Sequence, residues 1–83
     1  MSEERIEVIA YSGHRGEETP RGIVLGQKKI KVLDILRRWM EENAEDRTRR
    51  RFFILKCSDG NLHKIFYDEK TMEWYEEILR GDR

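Results

Sequence analysis

Two apolar-rich runs meeting at an Asp-Gly step, RRFFILKCSDGNLHKIFYDE over Arg50–Glu69, constrain this chain more than any other stretch. Asp-Gly between alternating apolar runs is the strongest short-range signal for a β-hairpin. If the loop is the two residues Asp59–Gly60, both in positive φ as a type I′ turn requires, the strands pair as Ser58–Asn61, Cys57–Leu62, Lys56–His63, Leu55–Lys64, Ile54–Ile65, Phe53–Phe66 and Phe52–Tyr67. One face then holds Phe53, Leu55, Cys57, Leu62 and Phe66. The other holds Phe52, Ile54, Ile65 and Tyr67, with Lys56 and His63 near the turn. Both faces are apolar, so the second one needs a cover: another element, a partner subunit or a ligand.

Around this hairpin the sequence reads as strands. Arg5–Tyr11 alternates Ile6, Val8 and Ala10 with other residues, as a half-buried strand does. Ser12–Arg21 carries two glycines and the single proline, and reads as a loop entering extended structure at Pro20. Gly22–Leu25 is a short strand leading to a tight turn at Gly26. Lys29–Met40 is ambiguous. Val32, Ile35, Leu36, Trp39 and Met40 follow helical spacing, whereas Ile30 and Val32 alternate with Lys29 and Lys31. No Ser, Thr, Asp or Asn stands ahead of the run to cap a helix. Glu41–Arg49 is a polar connector, and Met72–Leu79 suits either a last strand or a short helix.

At 83 residues with 37% hydrophobic content, the chain has room for one domain, 1–83, with a thin core. Charged residues make up 41%, well above ordinary domains. That excess suits surface ion-pair networks of the kind seen in proteins from hot environments, or a highly soluble domain. The sole cysteine, Cys57, excludes an intramolecular disulfide and points to a reducing compartment or to indifference to redox. The first residues lack the pattern of a signal peptide, and no run reaches membrane-spanning length, so a cytoplasmic, non-membrane protein is expected. Net charge is zero but uneven: residues 28–56 carry ten Lys and Arg against five Asp and Glu, while both flanking segments are acidic. Folding can neutralise the basic middle against the acidic ends, or the middle can serve an anionic partner.

In order along the chain stand Tyr11-x-Gly13, Gly16-x-Glu18-x-Pro20-Arg21, Leu25-Gly26 and Val32-x-x-Ile35-Leu36-x-x-Trp39. Arg51-Phe52-Phe53, Asp59-Gly60-x-Leu62, Tyr67-Asp68-Glu69 and Trp74 follow. This ordered set resembles a family of small uncharacterised bacterial cytoplasmic proteins across roughly residues 5–76. The resemblance implies no catalytic residues, because that family has no assigned activity. Similar sequences turn soon after the position of Trp39, which implies a strand ending there; this chain departs by inserting the longer connector 41–50. The fold expected is mainly β: a small antiparallel barrel or roll of five or six strands, with one short helix as an option. The alternative is an α+β fold with a helix at about 32–44 packed on the sheet.

Candidate chemistry concentrates on the hairpin. Arg47, Arg49, Arg50 and Arg51 adjoin Phe52, with Lys56, His63, Lys64 and Tyr67 following. Cationic tracks with exposed aromatics bind single-stranded nucleic acid by pairing phosphate contacts with base stacking. The plainer reading makes the aromatics core and the arginines a solubilising strand edge. Gly13–Arg21 can place backbone amides near an anion, but it lacks a phosphate-loop spacing and carries Glu17 and Glu18. His14, His63 and Cys57 lie too far apart in sequence for a zinc motif. In the two-residue register Cys57 and His63 point to opposite faces, which denies a nucleophile–base pair. Asp68 and Glu69 are adjacent rather than placed across a cleft. Trp39 and Trp74 suit core anchors, or an interface patch. No cofactor, metal or catalytic residue is expected. The chain reads as a non-enzymatic binding module, docking a protein partner or a second copy through Phe52, Ile54, Ile65 and Tyr67. The alternative is nucleic-acid binding through the 47–64 surface.

Overall fold

The computed structural model describes residues 2–12 and 18–78. Six antiparallel strands follow one another around a closed barrel: β1 (Ser2–Ser12), β2 (Glu18–Leu25), β3 (Lys28–Glu42), β4 (Arg49–Cys57), β5 (Leu62–Asp68) and β6 (Glu73–Ile78). The mainly-β barrel expected from sequence is therefore the fold, and the helix alternatives at 32–44 and 72–79 are corrected: 32–42 and 73–78 are strands, and 43, 44 and 72 lie in the connecting loops. Leu79 lies outside the described residues. Among the described residues no helix is long and apolar enough to cross a membrane.

The two long strands each serve two neighbours. Ser2–Ile6 of β1 pairs with β6, and Glu7–Ser12 pairs with β2. Lys28–Lys31 of β3 pairs with β2, and Val32–Glu42 pairs with β4. The barrel is thus a three-stranded wall and a five-stranded wall sharing β1 and β3 at their corners.

β3 shows why its sequence looked helical. Its register against β4 slips between Val32 and Asp34 and again between Ile35 and Arg37, so Leu33 and Leu36 are bulge residues. Val32, Ile35 and Arg38 all face the pairing row of inward β4 residues, Cys57, Leu55 and Phe53. Two bulges stretch the two-residue period of a strand to three. That spacing imitates one face of a helix.

Turn chemistry fixes the other joints. Leu25 pairs with Lys28 around Gly26–Gln27, and only Gly26 takes positive φ (62°), as in a II′ turn. The β4–β5 loop differs from the two-residue turn expected. Gly60 N–H donates to the Cys57 carbonyl at 3.0 Å, Cys57 N–H donates to the Asn61 carbonyl at 3.1 Å, and only Gly60 is in positive φ (84°). This is a three-residue loop, a type I turn closed by a glycine bulge. Pairing runs Lys56–Leu62, Leu55–His63, Ile54–Lys64, Phe53–Ile65, Phe52–Phe66 and Arg51–Tyr67, one residue from the expected register. The expected entry loop also shortens: β2 already begins at Glu18, and Pro20 is fully buried within it opposite Ala10.

The slip of one residue turns β5 over relative to β4. Inside, Phe53, Leu55, Cys57, Ile65 and Trp74 pack with Ile23 and Ile30, and with Ile6, Val8 and Tyr67 around them. Outside, Phe52 and Phe66 are buried at 5% and 1% exposure yet lie apart from that core. Their cover is an aromatic row across the five-stranded wall. Trp39 stacks on Phe52 (centroids 5.2 Å, 8° between planes), Phe52 meets Phe66 (5.0 Å), and Phe66 stacks on Tyr75 (5.2 Å). Cations roof the row: Lys64 Nζ lies 5.4 Å from the Phe52 ring centre and Arg50 lies 5.2 Å from that of Phe66. Around Phe52 and Phe66 the second apolar face of the hairpin is closed by the chain itself, while Leu62 near the turn stays exposed.

Candidate interaction surface

The residues expected to form a binding surface divide among three environments. His63 and Tyr67 face the barrel interior, where Tyr67 packs on Trp74 (centroids 5.1 Å). Arg50, Phe52, Lys56 and Lys64 share the outer face with the aromatic row, and Phe52 is inaccessible within it. Arg47, Arg49 and Arg51 sit at or near the 43–48 loop, with Arg47 itself in positive φ (60°). Several of these cations already have carboxylate partners: Arg50 with Asp68 (3.4 Å) and Glu3 (4.0 Å), Arg51 with Glu69 (2.9 Å), and Lys64 with Glu77 (3.1 Å). The acidic ends do meet the basic middle. The four residues expected to dock a partner do not share a face either: Ile65 and Tyr67 point inward, Phe52 and Ile54 outward.

One cluster went unforeseen because it depends on the register. His63, now beside Leu55 on the inner face, lies with Nε2 2.9 Å from Asp59 Oδ2 and Nδ1 2.6 Å from Glu76 Oε2, a hydrogen bond at each ring nitrogen. Burial disfavours charge on the ring. Hydrogen bonds to both carboxylates and their attraction outweigh it, so the His63 pKa is raised above 6.5. The same bond to His63, then the Asn61 amide, holds Asp59 below its ordinary value. Cys57 occupies this interior too, which corrects the expectation that it and His63 face opposite ways. Burial first, then the charges of Asp59 and Glu76, push its thiol up to about 11. The Cys57 thiol is held protonated and both His63 nitrogens are engaged by carboxylates, so the cluster joins His63, Asp59 and Glu76 by buried hydrogen bonds and leaves neither ring nitrogen unpartnered. The two carboxylates sit on opposite nitrogens of the ring. Among the described residues no group of three or more His, Cys, Asp or Glu converges as a metal site. His14 and the glycines of the expected anion-binding loop, residues 13–17, lie outside the described residues.

The feature that remains open is an edge. Above Lys31 the described part of β3 pairs only with β4, and Glu18–Arg21 of β2 pairs only with β1. The two strands splay, leaving a cleft of about 270 Å³ lined by Thr19, Arg38, Trp39, Met40, Arg51, Phe52 and Phe53. Along this edge β3 exposes Leu33 (58%), Leu36 (46%) and Met40 (49%), half of the large apolar side chains exposed among the described residues. From Arg37 to Glu42 its register with β4 is unbroken, so six consecutive residues present a regular edge. Arg37 lies 5.6 Å over the Trp39 ring, and neither Arg37 nor Arg38 has a carboxylate within salt-bridge distance among the described residues. Exposed regular edges are templates for another strand unless they are short, bulged or charged. Here the bulges protect Leu33–Leu36 and leave Arg37–Glu42 available. No protein-family profile, curated protein or solved structure matches this chain.

Proposed function

We propose that the chain is a non-enzymatic interaction module that accepts an extended protein segment along the free edge of β3. The observation that carries this reading is the coincidence, on one strand, of a six-residue edge unpaired among the described residues with exposed Leu36 and Met40 and an adjoining cleft. Strand addition draws its affinity from main-chain hydrogen bonds and its selectivity from pockets for alternate side chains. The lone buried Cys57 supports a reducing, cytoplasmic setting for it.

The reading is tested by selecting linear peptides against dilute protein and following backbone amide resonances. Binders should shift and protect the amides of Arg37–Glu42 while leaving β5 unmoved. Selected peptides that perturb only other strands, or a selection with no binders and no self-association, would remove it.

A second reading has its own support. On the outer face Arg37 and Lys56 have no ion-pair partner among the described residues, and Trp39 and Tyr75 are partly accessible at the two ends of the aromatic row. Such a surface suits single-stranded nucleic acid, with affinity falling steeply as salt rises. Fluorescence anisotropy with labelled oligonucleotides at 50 and 200 mM salt decides it: weak, salt-insensitive binding removes the nucleic-acid role.

A further inference from the structure

Resting on the edge-docking reading, we infer that the partner strand is the β3 of a second copy of this chain, paired antiparallel about a two-fold axis at Trp39. The free edge reads Arg37-Arg38-Trp39-Met40-Glu41-Glu42, two cations, two apolar residues and two anions. Reversed against itself about Trp39, that order sets Arg37 opposite Glu41, with Arg38 opposite Met40.

Symmetry narrows the register. A two-fold axis relating antiparallel strands stands perpendicular to the sheet, so each residue meets one from the same face of the other copy. With Trp39 on the axis, Arg37 faces Glu41 of the second copy, and Glu41 faces its Arg37. Both pairs lie on the outer face, beside the two tryptophans. The side chains are already arranged for it: Arg37 lies over the Trp39 ring, and Trp39 Nε1 donates to Glu41 Oε2 at 3.0 Å, which holds that carboxylate on the same face.

The aromatic row supplies the second argument. It runs Tyr75, Phe66, Phe52, Trp39 and ends at the free edge. A pair of β3 strands centred on Trp39 continues the row into the second copy's wall, making one ten-stranded sheet from two five-stranded walls. Opposite-charge and aromatic cross-strand pairs each stabilise a sheet, and like charges directly opposite destabilise it. The bulges at Leu33 and Leu36 stop the pairing before it reaches the splayed part of β3.

Charge exchange tests this on the surface of the barrel, because Arg37 and Glu41 are exposed and their contacts within the chain are with the rim residue Trp39, which both single variants and the double variant alter alike. Sedimentation equilibrium from about 1 µM to 1 mM should show a wild-type monomer–dimer equilibrium. Arg37→Glu and Glu41→Arg should each weaken it roughly tenfold or more, since each puts like charges opposite one another twice. The double variant Arg37→Glu/Glu41→Arg should restore it, and so should a one-to-one mixture of the two single variants. Circular dichroism should be unchanged throughout. A wild type that stays monomeric at 1 mM, or a dimer indifferent to the single changes, overturns the inference. If that monomer still binds linear peptides at Arg37–Glu42, the second-copy inference falls while the edge-docking reading stands. If neither is found, both fall.

Discussion

Replacing Phe66 with alanine tests whether the outer face of the five-stranded wall is a second core. Phe66 is 1% exposed although it points away from the barrel interior. Its ring touches Phe52 at 5.0 Å and Tyr75 at 5.2 Å, and lies under Arg50 at 5.2 Å. Truncating a fully buried Phe removes its transfer energy and leaves a cavity, together about 3–5 kcal/mol. An 83-residue domain has roughly 4–12 kcal/mol in all, so the variant approaches the threshold of folding. With a urea slope of about 2 kcal/mol per M, the midpoint should fall by roughly 2 M. Phe66→Leu keeps most of the burial and loses the ring contacts, each worth about 0.5–1.5 kcal/mol, so it should fold and cost roughly 1–3 kcal/mol. Leu62→Ala is the control: it lies on the same strand and face but is 62% exposed, so its effect should stay within about 0.5 kcal/mol. If Phe66→Leu and Leu62→Ala cost the same, the aromatic row is a solvated surface and the reasoning fails.

The remaining expectations are simpler to read out. His63 is raised above 6.5 by Asp59 and Glu76, so its contribution to stability is complete below pH 6.5 and is lost as pH rises through its folded value; thermal melts should show this decline, and His63→Gln should flatten it. Asp59 is lowered below 3.8 by the same bond, so a separate loss should appear only as pH falls below 3.8. Gly60→Ala meets no atom within 4 Å of the added Cβ but must keep a φ of 84°, so it should cost about 1–2 kcal/mol, read as a drop in melting temperature, with Gly60→Asn losing less. Cys57, buried with its thiol at about 11, should react with a thiol reagent at pH 8 only as fast as the barrel opens; rapid labelling of the native protein would contradict its placement. Leu36→Ser should change stability by less than about 0.5 kcal/mol, because a bulge residue exposed on an edge is not the core position that a helix would make of it.

Much of the barrel was legible because turns and alternation carry it. Gly26 marked its turn, the Asp-Gly step marked the hairpin, and Ile6, Val8 and Ala10 marked the core face of β1. β3 was legible only in part. A doubly bulged strand and an amphipathic helix place apolar residues at nearly the same intervals, so periodicity could not separate them. The missing N-cap ahead of Val32 was the physical clue, since an uncapped helix start leaves amide donors unsatisfied. The 43–48 and 69–72 loops gave no such clue. Each holds, at or next to its end, a residue in positive φ that is not glycine, Arg47 and Met72, whose N–H donates four residues back to the carbonyl of Asn43 and of Asp68. The free edge was beyond sequence reading altogether, because it depends on where two strands part company.

The hairpin register could have been decided from its own residues. Asp-Gly serves a two-residue loop and a three-residue loop equally, since only the first demands positive φ at Asp59. The cost of burial separates them. In the two-residue register Lys64 stands opposite Leu55 in the core, where an ammonium without a partner is expensive to desolvate. In the three-residue register His63 takes that place, and an imidazolium can be satisfied there by Asp59 and Glu76 while Lys64 reaches Glu77 on the surface. The same step carries Phe66 out of the core and beside Phe52, so one residue of loop length creates both the buried ion cluster and the outer aromatic row. That row ends at Trp39, on the β3 edge that pairs with no other strand among the described residues. The loop that sets the faces of β5 therefore also decides which side chains the β3 edge presents to a partner.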